Sequence, residues 1–402
     1  MIVVAQALAR AFLASDWTKR GLLEFGHAAL LPPAPWLPEV VDAVHGRYRR
    51  PPRFETLWRF VHALPAYEDA EPMPIPARYF FPATHMHVPR WPVRSVCDVA
   101  ELARWLEMPL RSLEGWADVN GYLDRAPPGP LHHYVRYFAG ARLIEAPKAQ
   151  LAKIQRRILR DVLESIPVHP AAHAYVRGRS HRTNAAMHVG RRLVLRFDLR
   201  RFFPSIFARR VRAVFMAAGY PETVAELLTG LTTTTTPTHV TREPIYSGRH
   251  LPQGAPSSPY LANLVAFRLD VRLAGLADRF GATYTRYADD LVFSSDESYE
   301  ALADAVAMIV ADEGFTLHRA KTRWMRAHRR QTVTGLVVNA HPAVSKRERK
   351  RLEATLFNLA RDGGDADARD RLRGRIAHVA QAHAAHGRKL LALFERIDWS
   401  GG

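Results

Sequence analysis

The sequence predicts an α+β chain on three observations. Proline and aromatic residues crowd the first 95 positions, short apolar strand-like runs ending in acids lie between 193 and 295, and basic helical sequence fills the region after Gly335. The prolines of Leu30-Leu-Pro-Pro-Ala-Pro-Trp and Tyr48-Arg-Arg-Pro-Pro-Arg-Phe limit the first region to short helical pieces, because each fixes φ and removes an amide donor. Residues 1–14 carry Arg10 and lack a basic region before their apolar run, so they read as an amphipathic helix and not as a secretion signal. Apolar residues at Val99, Leu102, Trp105, Leu106 and Leu110 predict one or two helices between Ser95 and Trp116. After loop-like sequence through Ala126-Pro-Pro-Gly-Pro, residues 134–147 read as two short strands about a glycine turn, and 151–166 as an amphipathic helix. Residues 193–199 form an apolar strand, 259–276 a helical stretch, and 283–295 two strands folded about Ala288-Asp289. The threonine run 232–236 reads as a surface loop, and Gly363-Gly364 as a break in the final helices. There is no internal repeat.

With 402 residues, 48% of them apolar, the chain can bury a large core. That fits two or three domains of roughly 150 residues and excludes global disorder. Lys and Arg number 57 against 39 Asp and Glu, a formal charge of +18. Such a surplus selects a polyanionic partner, either a nucleic acid backbone or an anionic membrane surface. No run approaches the ~18 uninterrupted apolar residues of a membrane span, and lipidation motifs are absent, so nucleic acid is favoured. The single cysteine, Cys97, excludes an intramolecular disulfide framework and a multi-cysteine metal site. It reads as a small buried apolar residue in a soluble protein of a reducing, cytoplasmic compartment.

Three carboxylates draw the argument toward chemistry. Asp198 ends an apolar strand, and Asp289-Asp290 sit at a hairpin tip. An Asp-Asp pair alone is ordinary turn chemistry. Apolar flanking strands alter that reading, since carboxylates held against a core are costly without cations. If hairpin and strand are neighbours in one sheet, the three acids could hold two divalent cations on hard oxygen ligands, as phosphoryl transfer to a growing nucleic acid requires.

Tyr287-Ala-Asp-Asp290, preceded by Phe197-Asp-Leu-Arg-Arg-Phe-Phe-Pro-Ser205 and Leu251-Pro-Gln-Gly-Ala-Pro-Ser-Ser-Pro259, resembles in order and spacing the motif set of reverse transcriptases. Asn184-Ala-Ala-Met-His188 and Val333-Thr-Gly335 resemble signatures of bacterial retron reverse transcriptases. The resemblance spans residues 97–400 and is strongest over 140–340. It implies a right-hand polymerase fold: fingers and an antiparallel-sheet palm over 96–340, and a helical, RNA-binding thumb over 341–402. Residues 1–95 form a helical N-terminal extension outside it, of unassigned role.

By that resemblance Asp198, Asp289 and Asp290, with the Leu199 carbonyl as a further ligand, hold two magnesium ions. Phe203 stands where the family places a ring beneath the incoming sugar, which selects deoxynucleotides. Gln253 lies near the incoming nucleotide, and Ser257 or Ser258 caps the helix that follows. Arg142 and Lys148 match finger cations that touch triphosphate oxygens, though both also read as solvated charges. Lys321 matches a lysine that could protonate the leaving pyrophosphate. Asn184 and His188 would shape RNA binding, or serve as a helix cap and a packed histidine. Val333, Thr334 and Gly335 fall where the family recognises its structured RNA, or form a plain strand and turn. The acid-free run of Arg319, Lys321, Arg323, Arg326, Arg329 and Arg330 around Trp324 suits phosphate contact with stacking, or a solvated face. Arg200-Arg201 departs from the family, which often carries an acid there. His85-Met-His87 and His383-Ala-Ala-His386 lack a third metal ligand.

The activity so implied is synthesis of DNA from dNTPs on a cognate structured non-coding RNA, primed from the 2′-hydroxyl of an internal guanosine. The product is branched RNA–DNA (msDNA), with a host ribonuclease H trimming the template and an effector protein joining in anti-phage defence. Two rivals compete with it: a group II intron-like or diversity-generating reverse transcriptase priming from a 3′-hydroxyl, against which the motifs at 184–188 and 333–335 argue, and a non-catalytic RNA-binding protein, against which the intact Asp198, Asp289 and Asp290 argue.

Overall fold

The computed structural model describes residues 2–68, 74–76, 86–119, 121–125, 129, 132–297 and 300–399. His85 and most of the 126–130 loop lie outside the described residues. The chain divides into two compact units, Met1–His133 with Arg212–Thr232, and Tyr134–Val211 with Thr233–Gly402.

The first unit is helical. Its opening helix, Ile2–Leu13, is buried over Val4–Ala9, Ala11 and Phe12, so it is covered on nearly every side and is not the one-faced helix its sequence predicts. Four alanines let the helices Lys19–Ala29 and Phe54–His62 approach it closely, and Leu8, Phe12, Leu22, Leu57 and Val61 join one core. Prolines punctuate as expected: Pro38 sits in the first turn of Leu37–Arg47, where its missing amide is harmless. Val99–Leu106 and Leu110–Ala117 are two helices, separated where Glu107 turns left-handed at φ 57°. Glu222–Thr232 packs on the second of them. A Cβ at Gly230 would lie 2.3 Å from the Ala117 carbonyl oxygen, so that approach requires glycine. Cys97 is half-buried and not enclosed as expected, because it lies just outside a helix whose first turn Asp98 caps.

The second unit carries the strands. Tyr134–Ala139 and Arg142–Pro147 form an antiparallel hairpin about Gly140, whose φ of 61° favours glycine. A four-stranded sheet has the spatial order Thr283–Tyr287, Asp290–Ser295, Leu193–Asp198, Arg323–Arg326, with every neighbour antiparallel. The 259–276 stretch is two helices, Ser258–Val265 and Phe267–Arg279, the second of which packs on the edge strand and on Glu300–Asp312. Ser257 occupies the cap position but makes no capping bond, and the Ser258 hydroxyl is likewise buried without a partner. The helices Lys346–Asp362, Ala366–Ala382 and Ala384–Phe394 close the chain, the first ending at Gly363. Their Leu352, Leu356, Ile376 and Leu390 share a core with Val194, Val292, Val333 and Leu336.

The threonine run corrects the surface-loop expectation, because Thr232, Thr233, Thr234 and Thr236 are buried. Hydroxyls are tolerated inside when bonded. Thr232 donates to the Leu228 carbonyl, Thr234 accepts from Arg136, and Thr236 donates to Glu145. Among the described residues no helix is long and apolar enough to cross a membrane.

Candidate active site

The two acid-bearing segments are neighbours in one sheet, and their register is tight. Asp198 stands directly opposite Asp290, and the Leu199 amide donates to the Asp289 carbonyl at 2.8 Å. A two-residue turn joins Tyr287 to Asp290, with Ala288 left-handed at φ 57°. All three carboxylates therefore gather at one end of the sheet. The apolar residues behind them, Leu195, Phe197, Leu291 and Phe293, are buried and anchor both strands.

Electrostatics mark this end as short of positive charge. Burial, then the Asp198 charge, pushes the Asp289 carboxyl above its ordinary value, against the offset of its own amide, Arg142 and Lys321. Burial likewise raises Asp290, helped by Asp289 and Asp198 and opposed by Arg196. Lys321 Nζ lies 3.0 Å from both carboxylate oxygens of Asp198, and Arg196 Nε donates to Asp290 at 3.1 Å. Among the described residues, no three His, Cys, Asp or Glu side chains converge closely enough to hold a metal ion by themselves. An open, oxygen-only set whose negative charge is only partly matched by Lys321 and Arg196 nevertheless fits a hard divalent cation, which completes its shell with water and substrate phosphate. The fit rests on the donor set, three carboxylates brought to one sheet end by the pairing of Asp198 with Asp290 and the Leu199–Asp289 bond.

Phe203 is half-buried beside this end, edge-on to the buried Phe202 at 5.6 Å. Arg142 is exposed at the turn end of the 134–147 hairpin, and Lys148 immediately precedes the helix Ala149–Asp161. Gln253 sits against the same hairpin, its carbonyl accepting the Glu145 amide at 2.8 Å. Arg201 finds its acid elsewhere in the chain. Its guanidinium makes two bonds to Glu243, at 2.7 and 3.1 Å, and one to the Ala141 carbonyl.

The two retron-like signatures meet. Thr334 Oγ1 donates to the His181 carbonyl at 2.7 Å, joining the 333–335 turn to the helix His181–Ala186. Asn184, His188 and Val333 are fully buried, which leaves them no surface for RNA, while Thr334 is half-exposed and Gly335 exposed. His188 bridges the sheet, bonded to Ser294 and Thr285 at 2.7 Å each, and burial pushes its imidazole down to about 3. Asn184 is buried with neither amide atom bonded. In the basic run, Lys321 pairs with Asp198 while remaining about half exposed, Trp324 is 41% exposed, and all five arginines face solvent.

Two supporting groups escaped the sequence reading. Arg286, fully buried one residue before the Tyr-Ala-Asp-Asp tetrapeptide, forms a two-bond ion pair with Asp270 at 2.6 and 2.8 Å. The same guanidinium donates to Asn263 and to the Ala288 carbonyl, and so pins the acid-bearing turn. Its signal was present: an arginine in an apolar strand demands a buried partner. The second group is Glu145, enclosed by Arg136, Thr236 and His250. Burial pushes its carboxyl up, but His250, Thr236 and Arg136 outweigh that and hold it below the usual range. No local pattern announced this pairing, whose members lie 105 positions apart.

Comparison with known proteins gives this geometry its context. Residues 139–348 match the family model for reverse transcriptase (RNA-dependent DNA polymerase). The chain is 41% identical over 315 residues to the Retron Mx65 reverse transcriptase of Myxococcus xanthus, covering 73% of each chain. It is 37% identical over 336 residues to the Retron Mx162 reverse transcriptase of the same organism, 75% of this chain and 67% of that one. To the Retron Ec86 reverse transcriptase of Escherichia coli it is 30% identical over 260 residues, 64% of this chain and 77% of the other. With its acids in register at one sheet end and a family match across them, the chain belongs to the retron reverse transcriptases and is an RNA-directed DNA polymerase.

Proposed function

We propose that this polymerase copies a dedicated structured non-coding RNA, starting from the 2′-hydroxyl of an internal guanosine and leaving branched RNA–DNA. The observation that carries the catalytic part is the register that sets Asp198 opposite Asp290, with Asp289 tied to Leu199. Reverse transcriptases use divalent metal ions. Here Asp198, Asp289, Asp290 and the Leu199 carbonyl would hold two Mg2+. Ions held there would supply activation of the attacking hydroxyl and neutralisation of charge on the triphosphate. Phe203 packs beneath the sugar and excludes a ribose 2′-hydroxyl, and Gln253 lines the nucleotide. Arg142 and Lys148 grip the triphosphate, and Lys321 gives a proton to the leaving pyrophosphate. Thr334 and Gly335 touch the RNA, the Thr334–His181 bond holds that turn against the helix that carries Asn184, Val333 is buried under it, and His188 braces the sheet behind.

In this reading the fingers and palm occupy 96–340, the helical thumb 341–402, and residues 1–95 are an extension. The retron context supports a host ribonuclease H that trims the template, an effector protein, and a cytoplasmic role in anti-phage defence.

The test is to express the gene with its native flanking DNA, purify the protein, and treat the bound nucleic acid with nucleases and a debranching enzyme. DNA joined to RNA through a 2′–5′ linkage is the expected result. Unbranched DNA would favour a polymerase that primes from a 3′-hydroxyl. RNA alone, with no synthesis on adding dNTPs and Mg2+, would favour a non-catalytic binder.

A further inference from the structure

Tyr175 adopts a left-handed backbone, φ 61°, which a bulky residue takes only when its surroundings impose it. Those surroundings are unusually explicit. Arg179 donates to the carbonyls of His169, Pro170 and Ala172, and Asn263 donates to that of Ala174 at 2.8 Å. The Arg286 backbone exchanges bonds with Ala171 and His173, 2.8 Å each. The loop is thus fastened to the buried Arg286 that also pins the Ala288-Asp289 turn. What it presents is a ring that is 47% exposed. That ring lies 6.4 Å from Phe203, inclined at 56°, and its hydroxyl feels the charges of both Asp289 and Arg142. A half-exposed aromatic on a strained, heavily anchored loop beside the acids is placed more for a ligand than for the core.

We propose that Tyr175 is a further residue of the nucleotide pocket: beside Phe203, which lies beneath the sugar, it completes an aromatic corner in which the Tyr175 ring packs on the base of the incoming deoxynucleoside triphosphate. The inference rests on the site reading above, because Phe203 and Asp289 define the pocket that it completes. Stacking on an aromatic side chain discriminates little among bases, so the effect is common to all four dNTPs.

The test is steady-state DNA synthesis by the full chain on a primed RNA template, varying one dNTP, with Tm and template affinity measured alongside. Tyr175→Gly removes the ring and relieves the backbone. The expected result is a KM for each dNTP raised about tenfold, kcat within about threefold, template affinity held, and Tm unchanged or higher. Tyr175→Phe, which keeps the ring, recovers most of the KM loss. A KM within twofold of wild type in Tyr175→Gly overturns the proposal, as does a fall in Tm with loss of template binding, which would make the residue structural. Asp289→Asn, run in parallel, separates the two levels. If it is inactive while Tyr175→Gly binds dNTPs normally, only this inference fails; if it still synthesises DNA, the site reading fails and takes the inference with it.

Discussion

Asp270 and the trio Asp198, Asp289 and Asp290 occupy the same unit, and one arginine lies between their worlds, yet they are treated oppositely. Asp270 is fully enclosed and answered in full: both oxygens meet Arg286, and Tyr284 adds a third bond. The trio is answered in part, by one lysine on Asp198 and one arginine on Asp290, so burial, helped by the neighbouring carboxylates, still pushes Asp289 and Asp290 upward. A matched buried acid is a fixed component of the fold. Under-matched acids at a sheet end favour a partner of positive charge, which is what the proposed cation site requires. Arg286 connects the two, since it neutralises Asp270 and holds the Ala288 carbonyl.

The comparison breaks most visibly through substitution. Asp289→Asn is expected to lower DNA synthesis on the order of a thousandfold, by analogy with removal of a single transition-state contact, while Tm stays level or rises because a repulsion is removed. Primer extension and a thermal melt on the same preparation check both halves. A melt that fell by many degrees would return Asp289 to the structural class. Asp270→Asn should behave in the reverse sense. It strands the Arg286 charge in the core at about 3–5 kcal/mol, so denaturant unfolding should show the loss directly. Activity would then fall only as far as the folded fraction does, together with whatever the Ala288 turn loses in precision.

Much of this was legible in advance, and the limits have physical causes. The strands 193–198 and 283–295 could be read because apolar runs ending in acids are locally inconsistent unless a function explains them. Their register could not, because pairing is a non-local outcome; only the structure sets Asp198 against Asp290. The threonine run misled because a hydroxyl's burial depends on partners far along the chain, here Arg136 and Glu145. For the signature residues the sequence left RNA contact open beside a packed histidine and a helix cap: His188 is the packed histidine, while Ser180 and not Asn184 caps the helix. Tyr175 carried no pattern at all, since a positive φ leaves no trace in a residue's identity unless that residue is glycine.

His188 offers a smaller, pH-dependent test. Its folded value of about 3 lies below the ordinary 6.5, so between those values the unfolded chain binds more protons and stability falls as pH drops from 6.5. By pH 5 the loss from this group is about 2 kcal/mol. Asp289 and Asp290, raised on folding, act with the opposite sign, stabilising as they take up protons. His188→Gln keeps hydrogen-bonding capacity without the titration, so its unfolding free energy should decline less steeply from pH 6.5 to 5. An unchanged slope would show that the imidazole is not the group being forced to stay neutral.

The mildest test asks the trio to report its own charge deficit without catalysis. A ligand that binds only the folded state stabilises by RT ln(1 + [L]/Kd), about 1.4 kcal/mol at tenfold over Kd. Mg2+ added to the protein without dNTPs should therefore raise Tm by a few degrees at most, since substrate phosphate completes the shell only during synthesis. The shift should vanish in an Asp289→Asn, Asp290→Asn double variant. Tyr175→Gly should keep it, because that residue contributes a ring and no oxygen ligand to the acids. An equal shift in the double variant would mean that the ion binds elsewhere on the chain. The partial matching of Asp198 and Asp290 by Lys321 and Arg196 would then already be sufficient, and the contrast with Asp270 would be one of degree alone.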